Sequence, residues 1–95
     1  MSELRGHSIL IVVDSEVSPV VSALQEEIER AGAETLVVGD HPDLVADTLA
    51  TFDFTAAAVD ADHQEVVAQL AVPTVLFYEG DTAEQILARL RRVLS

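Results

Sequence analysis

An α/β fold built on one parallel sheet is predicted by two features of the sequence. Apolar, β-branched runs alternate with amphipathic stretches at helical spacing, four times over and with short connections. Residues 54–62, Phe-Thr-Ala-Ala-Ala-Val-Asp-Ala-Asp, then supply a run of small apolar residues that stops abruptly at Asp60. A central strand with helices on both of its faces has this pattern. Strands separated by helices lie parallel and are joined by right-handed crossovers, which points to four strands in the order 2-1-3-4.

The elements follow in order. Residues 8–14, Ser-Ile-Leu-Ile-Val-Val-Asp, read as the first strand, ending in Asp14. Ser18-Pro19 opens a helix, the serine able to cap free amides and the proline sitting where its missing N–H costs nothing. Val20, Val21, Leu24, Ile28 and Ala31 form its inner face, and Gly32 ends it. Residues 34–38 make a short second strand closed by Gly39-Asp40. His41-Pro42 opens a second helix with Leu44, Val45, Leu49 and Phe52 inward. The 54–62 stretch is strand three. Asp62 and Glu65 form a capping-box-like pair for a third helix, with Val66, Val67 and Leu70 inward. Residues 73–78, Pro-Thr-Val-Leu-Phe-Tyr, are strand four. Thr82 caps a last helix whose stripe is Ala83, Ile86, Leu87, Leu90, Val93 and Leu94, and arginines 89, 91 and 92 near its end suit the negative pole of the helix dipole. The expected architecture is a flavodoxin-like three-layer αβα sandwich, one domain over residues 1–95.

Composition excludes several function classes. The chain carries 17 acids against five bases, all arginine, for a net charge of −12. Such a surface repels phosphate backbones and anionic lipid, so nucleic acid and membrane surfaces are not expected partners. It favours cations or basic protein surfaces, although solubility alone also accounts for it. Without lysine there is no phosphate-binding loop with its lysine and no Schiff-base chemistry. Without cysteine there are no disulfides or thiolate sites. No run is long and apolar enough to span a membrane, and the first residues lack a signal-peptide pattern, so a cytoplasmic location is expected. The glycines are too scattered for a dinucleotide fingerprint, and Ser15 has no nucleophile elbow around it. His41 reads as a helix-entry residue, His63 as part of a helix start, and His7 as part of a loose N-terminus.

With strands one and three adjacent and their connections leaving in opposite directions, a crevice opens at their C-terminal ends. Asp14 and Asp60 would face each other across it, with Asp62 beside them. Glu16, Asp40, Glu79 and Asp81 lie on loops at the same end. Crowded carboxylates repel one another, and a hard cation such as Mg²⁺ relieves that. Asp40, Asp62 and Asp81 also have a plainer explanation as ordinary helix-capping acids.

Over residues 8 to about 79 the chain resembles the receiver domain of bacterial two-component response regulators. Ile-Leu-Ile-Val-Val-Asp, Phe-Asp-Phe-Thr-Ala-Ala-Ala-Val-Asp-Ala-Asp and Val-Pro-Thr-Val-Leu-Phe-Tyr carry the resemblance. It implies that Asp60 is the phosphoacceptor for a histidine kinase, and that Mg²⁺ is held weakly by Asp14, Asp60 and the Asp62 carbonyl. A carboxylate attacking phosphorus beside a metal is coherent chemistry. The departures are as specific. Val13 stands where receivers have a second acid, Tyr78 where they have Thr or Ser, and their lysine is missing along with about one βα unit, roughly 20–30 residues. The resemblance therefore implies a degenerate, truncated receiver, not an enzyme, that acts by contact with a histidine kinase or other regulator. The alternatives are a working phosphoacceptor on Asp60 and a small flavodoxin-like domain binding a cation or small ligand.

Truncation would leave strand four as an open edge. Thr74, Val75, Leu76, Phe77 and Tyr78 carry neither charge nor bulge to blunt it. Self-association is expected through this edge or through the last helix, where Leu87, Leu90 and Leu94 could also dock in a partner's groove, although closing the chain's own core accounts for most of that stripe.

Overall fold

In the computed structural model, residues 4–13, 19–39, 42–60, 68, 70–78 and 80–94 are described. They form β1 (Ser8–Val13), α1 (Pro19–Arg30), β2 (Glu34–Gly39), α2 (Pro42–Thr51), β3 (Ala56–Asp60), β4 (Thr74–Phe77) and α3 (Ala83–Leu94). All strand pairs are parallel and the order is β2-β1-β3-β4, as the alternation predicts. The helix expected from Asp62 falls on residues outside those described.

The pleat of β1 divides the core in two. Ile9, Ile11 and Val13 turn to one face, where Leu24 and Ile28 of α1 and Ile86 and Leu90 of α3 close over them. Leu10 and Val12 turn to the other, against Val45 of α2 with Ala57 and Val59 of β3. The split follows from handedness. The crossover from β1 to β2 and the one from β2 back past β1 to β3 run in opposite directions, so right-handed connections put α1 and α2 on opposite faces. α3, which comes after β4, packs on the same face as α1. Each fully buried Leu or Ile on these faces stabilises the fold by roughly 1.5–3 kcal/mol.

The alanines of β3 are a packing requirement. Ala56, Ala57 and Ala58 are wholly buried between neighbours already filled by long side chains from β1 and the helices. Helix ends follow local chemistry. Gly32, at φ 101°, ends α1 with Ala33 N–H donating to Ile28 O at 3.2 Å and Gly32 N–H to Glu29 O at 3.0 Å. This double bond satisfies two carbonyls that the helix leaves open. At the start of α3 the Gln85 amide donates to Thr82 Oγ1 at 3.2 Å, and the Thr82 amide donates to Gln85 Oε1 at 2.9 Å. That reciprocal pair is a complete capping box.

Two expectations are corrected. Leu44 and Phe52 are 49 % and 54 % exposed, because Val45 and Leu49 form the inward row of α2 and Phe52 lies just past its last turn. Residues 4–7 are tied down: Leu4 is buried, its amide donates to Ala31 O at 2.9 Å, and the Glu34 amide donates to His7 O at 3.0 Å. The first strand is described over Ser8–Val13, and Asp14, its expected last residue, lies outside the described residues. No helix among the described residues is long and apolar enough to cross a membrane.

Truncating either anchor of the first face should be costly. Leu24→Ala or Leu90→Ala is expected to lower the unfolding free energy by about 2–5 kcal/mol in urea titrations. Ala58→Leu should cost about 1–3 kcal/mol by overpacking, and Leu44→Ala about 1 kcal/mol or less. Equal losses for Leu44→Ala and Leu90→Ala would contradict the two-faced core.

Candidate functional site

The C-terminal ends of β1 and β3 meet where the chain reverses its direction of winding. Asp60 is the last residue of β3, half-buried, in register with Phe77 of β4. On the other side the β1–β3 register runs up to Val12 beside Val59, so the end of β1 at Val13 borders Asp60. Alternation along β3 puts Asp60 on the same face as Ala56 and Ala58, the face covered by α1 and α3. A carboxylate can end this strand because it emerges from the sheet as the apolar packing stops. Asp14 and Asp62, the other expected Mg²⁺ ligands, lie outside the described residues, as do Glu16, Asp40 and Glu79. Among the described residues no three acids or histidines group as a metal site.

The β4 edge differs from expectation. The Ala57 amide donates to Pro73 O at 3.0 Å. In a parallel ladder successive residues then alternate, so Val75 and Phe77 turn their backbone groups to β3, while Thr74, Leu76 and Tyr78 turn theirs outward. Two of those outward groups are capped by side chains from within the chain. Arg89 Nη1 donates to Leu76 O at 3.3 Å, and the Tyr78 amide donates to Asp81 Oδ2 at 2.8 Å. The two caps are joined: Arg89 Nη1 and Nη2 donate to Asp81 Oδ2 and Oδ1 at 2.7 and 3.2 Å. Such a bidentate pair fixes geometry as well as charge. Gly80, at φ 98°, makes the turn that brings Asp81 back, and the Asp81 amide closes it onto Tyr78 O at 3.0 Å. The edge expected to be bare therefore carries an acid–arginine clamp, and the Thr74 amide and carbonyl and the Leu76 amide remain outward without a partner among the described residues.

The side chains named for interaction divide accordingly. Val75 and Phe77 are buried, Thr74 and Leu76 half-buried, and Tyr78 is exposed. Leu87 and Leu90 are 4 % and 0 % exposed and Leu94 packs partly buried against the same cluster, so in this fold the leucine stripe packs into the chain's own core. Sequence reasoning took Arg89 for a dipole-complementing arginine and Asp81 for a helix cap. One signal was available: Arg89 lies three residues after Ile86 and one before Leu90, on the side of α3 that faces the sheet.

The opposite end of the sheet holds a second concavity. Thr55 joins the starts of β1 and β3, its amide donating to Ser8 O at 2.9 Å and its Oγ1 accepting from the Ser8 amide at 3.2 Å. His7 is drawn in here, Nδ1 3.2 Å from Thr55 Oγ1, rather than left loose. Beside it is a cavity of about 220 Å³ between the start of β2 and the segment after α2. No family model, no curated protein and no solved structure matches this chain.

Electrostatics at the clamp are pH-dependent. The Arg89 hydrogen bond first, and the Tyr78 amide second, hold the Asp81 carboxyl below its ordinary value of 3.8. A lowered folded-state pKa means that the stabilisation is complete above 3.8 and is lost as pH falls through the lowered value. Hydrogen-exchange protection of the Tyr78 amide, corrected for intrinsic rates, should hold from neutral pH down to that range and collapse below it. In Asp81→Asn it should be reduced at every pH. Unchanged protection in Asp81→Asn would mean that the clamp does not form in solution.

Proposed function

We propose that this chain is an atypical receiver-like signalling domain that works by protein–protein contact in a two-component or related regulatory pathway, with phosphoryl transfer to Asp60 impaired or absent. The observation that supports the reading is the position of Asp60, half-buried at the C-terminal end of β3, beside the end of β1. In open α/β sheets this is the place where ligands and reacting groups collect. The resemblance supplies the chemistry: Asp60 as acceptor carboxylate, with Asp14 and the Asp62 carbonyl as the remaining Mg²⁺ ligands.

The impairment is argued from charge. Phosphorylation of Asp60 replaces a carboxylate monoanion with an acyl phosphate dianion, about one further negative charge, at the strand ends where the sequence gathers acids. A lysine that would pair with it does not exist in this chain. Arg89, which reaches β4 from α3, is engaged with Asp81 and the Leu76 carbonyl. Tyr78 stands, exposed, where a small hydroxyl would normally contact the phosphoryl group. A module with these substitutions keeps the surface of a receiver while losing the means to couple phosphorylation to a switch. Self-association at the β4 edge belongs to the same proposal, narrowed by the clamp to the outward groups of Thr74 and Leu76.

The test is an amide NMR titration with Mg²⁺, followed by beryllofluoride as a stable mimic of aspartyl phosphate. The expected result is no saturable shift at Asp60 at physiological Mg²⁺ and none on adding the mimic. Saturable shifts centred on Asp60 that spread with the mimic and vanish in Asp60→Asn would instead establish a working phosphoacceptor. A shift with a cation alone would favour a simple cation-binding domain.

A further inference from the structure

The sheet has a second edge, and it is the more open one. The Glu34 amide donates to His7 O at 3.0 Å, which fixes the phase of the β1–β2 ladder. Glu34, Leu36 and Val38 then turn their backbone groups inward to β1, while Thr35, Val37 and Gly39 turn theirs to the outside. Among the described residues none of these outward amides and carbonyls has a hydrogen-bond partner, in contrast to β4 with its clamp. The strand contains no proline and no bulge, its only charge is Glu34 at the start, and Thr35 through Gly39 are all half-buried. An uncapped run of this kind is a template for one more strand.

The cavity described above lies at the start of the same edge. Its wall includes Glu34, Thr35 and Leu36 of β2 together with Phe52, Asp53 and Phe54. Among the described residues two carboxylate residues and two aromatic ones line it, and no basic residue does. The two rings are tilted at 54° with centroids 6.4 Å apart, and Phe52 stands more than half exposed. Acids beside aromatic faces suit a cationic side chain with an apolar stem.

We propose that β2 is a docking site for an extended, basic segment of a partner protein, which adds a strand along Thr35, Val37 and Gly39 and places an arginine or lysine in the cavity between Glu34 and Asp53. Backbone pairing supplies affinity and the cavity supplies selectivity, the division of labour that strand addition uses. Charge complementarity selects the occupant. With a net charge of −12, a second copy would bring its own excess of acids to the edge, whereas a basic segment is attracted to it. The cavity is at the end of the sheet remote from Asp60 and β1 stands between β2 and β3, so the site is independent of any phosphoryl chemistry at Asp60.

The probe is a blocked eight-residue peptide alternating threonine and valine with one arginine near an end. Two controls carry glutamate in place of the arginine, or N-methyl groups along one backbone edge. Amide NMR of the full chain should show saturable shifts at Thr35, Val37 and Gly39, together with slowed exchange of those amides. The glutamate and N-methylated peptides should bind at least about tenfold more weakly. Glu34→Gln with Asp53→Asn should erase the preference for arginine while leaving the spectrum otherwise folded. Equal binding of all three peptides, shifts confined to the β4 edge or the Asp60 end, or no shift at millimolar peptide would each overturn the proposal. So would the same β2 shifts appearing on raising the protein concentration without peptide, because the occupant would then be a second copy.

Discussion

Two-sided burial of β1 is the constraint on which everything else depends. Ile9 to Val12 are wholly inaccessible and Val13 nearly so, with the strand hydrogen-bonded to a neighbour on each side. A strand so enclosed cannot shift by one residue without turning Ile9 and Ile11 into the space of Leu10 and Val12, so the register of the whole sheet follows from it. Both helix layers are present because both of its faces require cover. The alanines of β3 are small because the adjoining volume is already taken. Asp60 is half-exposed for the complementary reason, being the first residue of that strand beyond the reach of the enclosing side chains.

A four-stranded open sheet necessarily has two edges, and this chain treats them differently. At β4 a helix arginine and a loop aspartate hold one outward carbonyl and one outward amide, so the sheet is partly capped by the element that follows it. At β2 the flanking helices α1 and α2 lie above and below the sheet, and among the described residues neither sends a side chain to the outward backbone groups. The asymmetry follows from connectivity. The segment after β4 turns back at Gly80 so that Asp81 and α3 reach the edge, whereas β2 is entered and left by crossovers that span the faces. The two ends of the sheet differ as well: one holds Asp60 at the reversal of winding, the other an acid- and aromatic-lined cavity.

Much of the architecture was legible in the chain because it rests on local chemistry. Gly32 ends α1 through the left-handed turn that glycine permits, and the apolar stripes of α1 and α3 are those read from helical spacing. The errors occurred where one residue's fate depended on neighbours distant in sequence. Leu44 and Phe52 fit a helical stripe, yet the sheet presents room only for the row through Val45 and Leu49. His7 carries no local signal of order, and is fixed by a threonine 48 residues away.

The sequence by itself determined the alternation of strands and helices, the strand order, and the placing of a carboxylate at the end of a buried strand. Periodicity, glycine stops and the handedness of crossovers suffice for those. Only the tertiary structure decided which edge is closed and which is open. An outward carbonyl and the arginine that reaches it, Leu76 and Arg89, are 13 residues apart and meet only once α3 has packed against the sheet. The phase of each ladder, which determines whether an amide points in or out, is likewise a property of the paired strands and of neither strand alone.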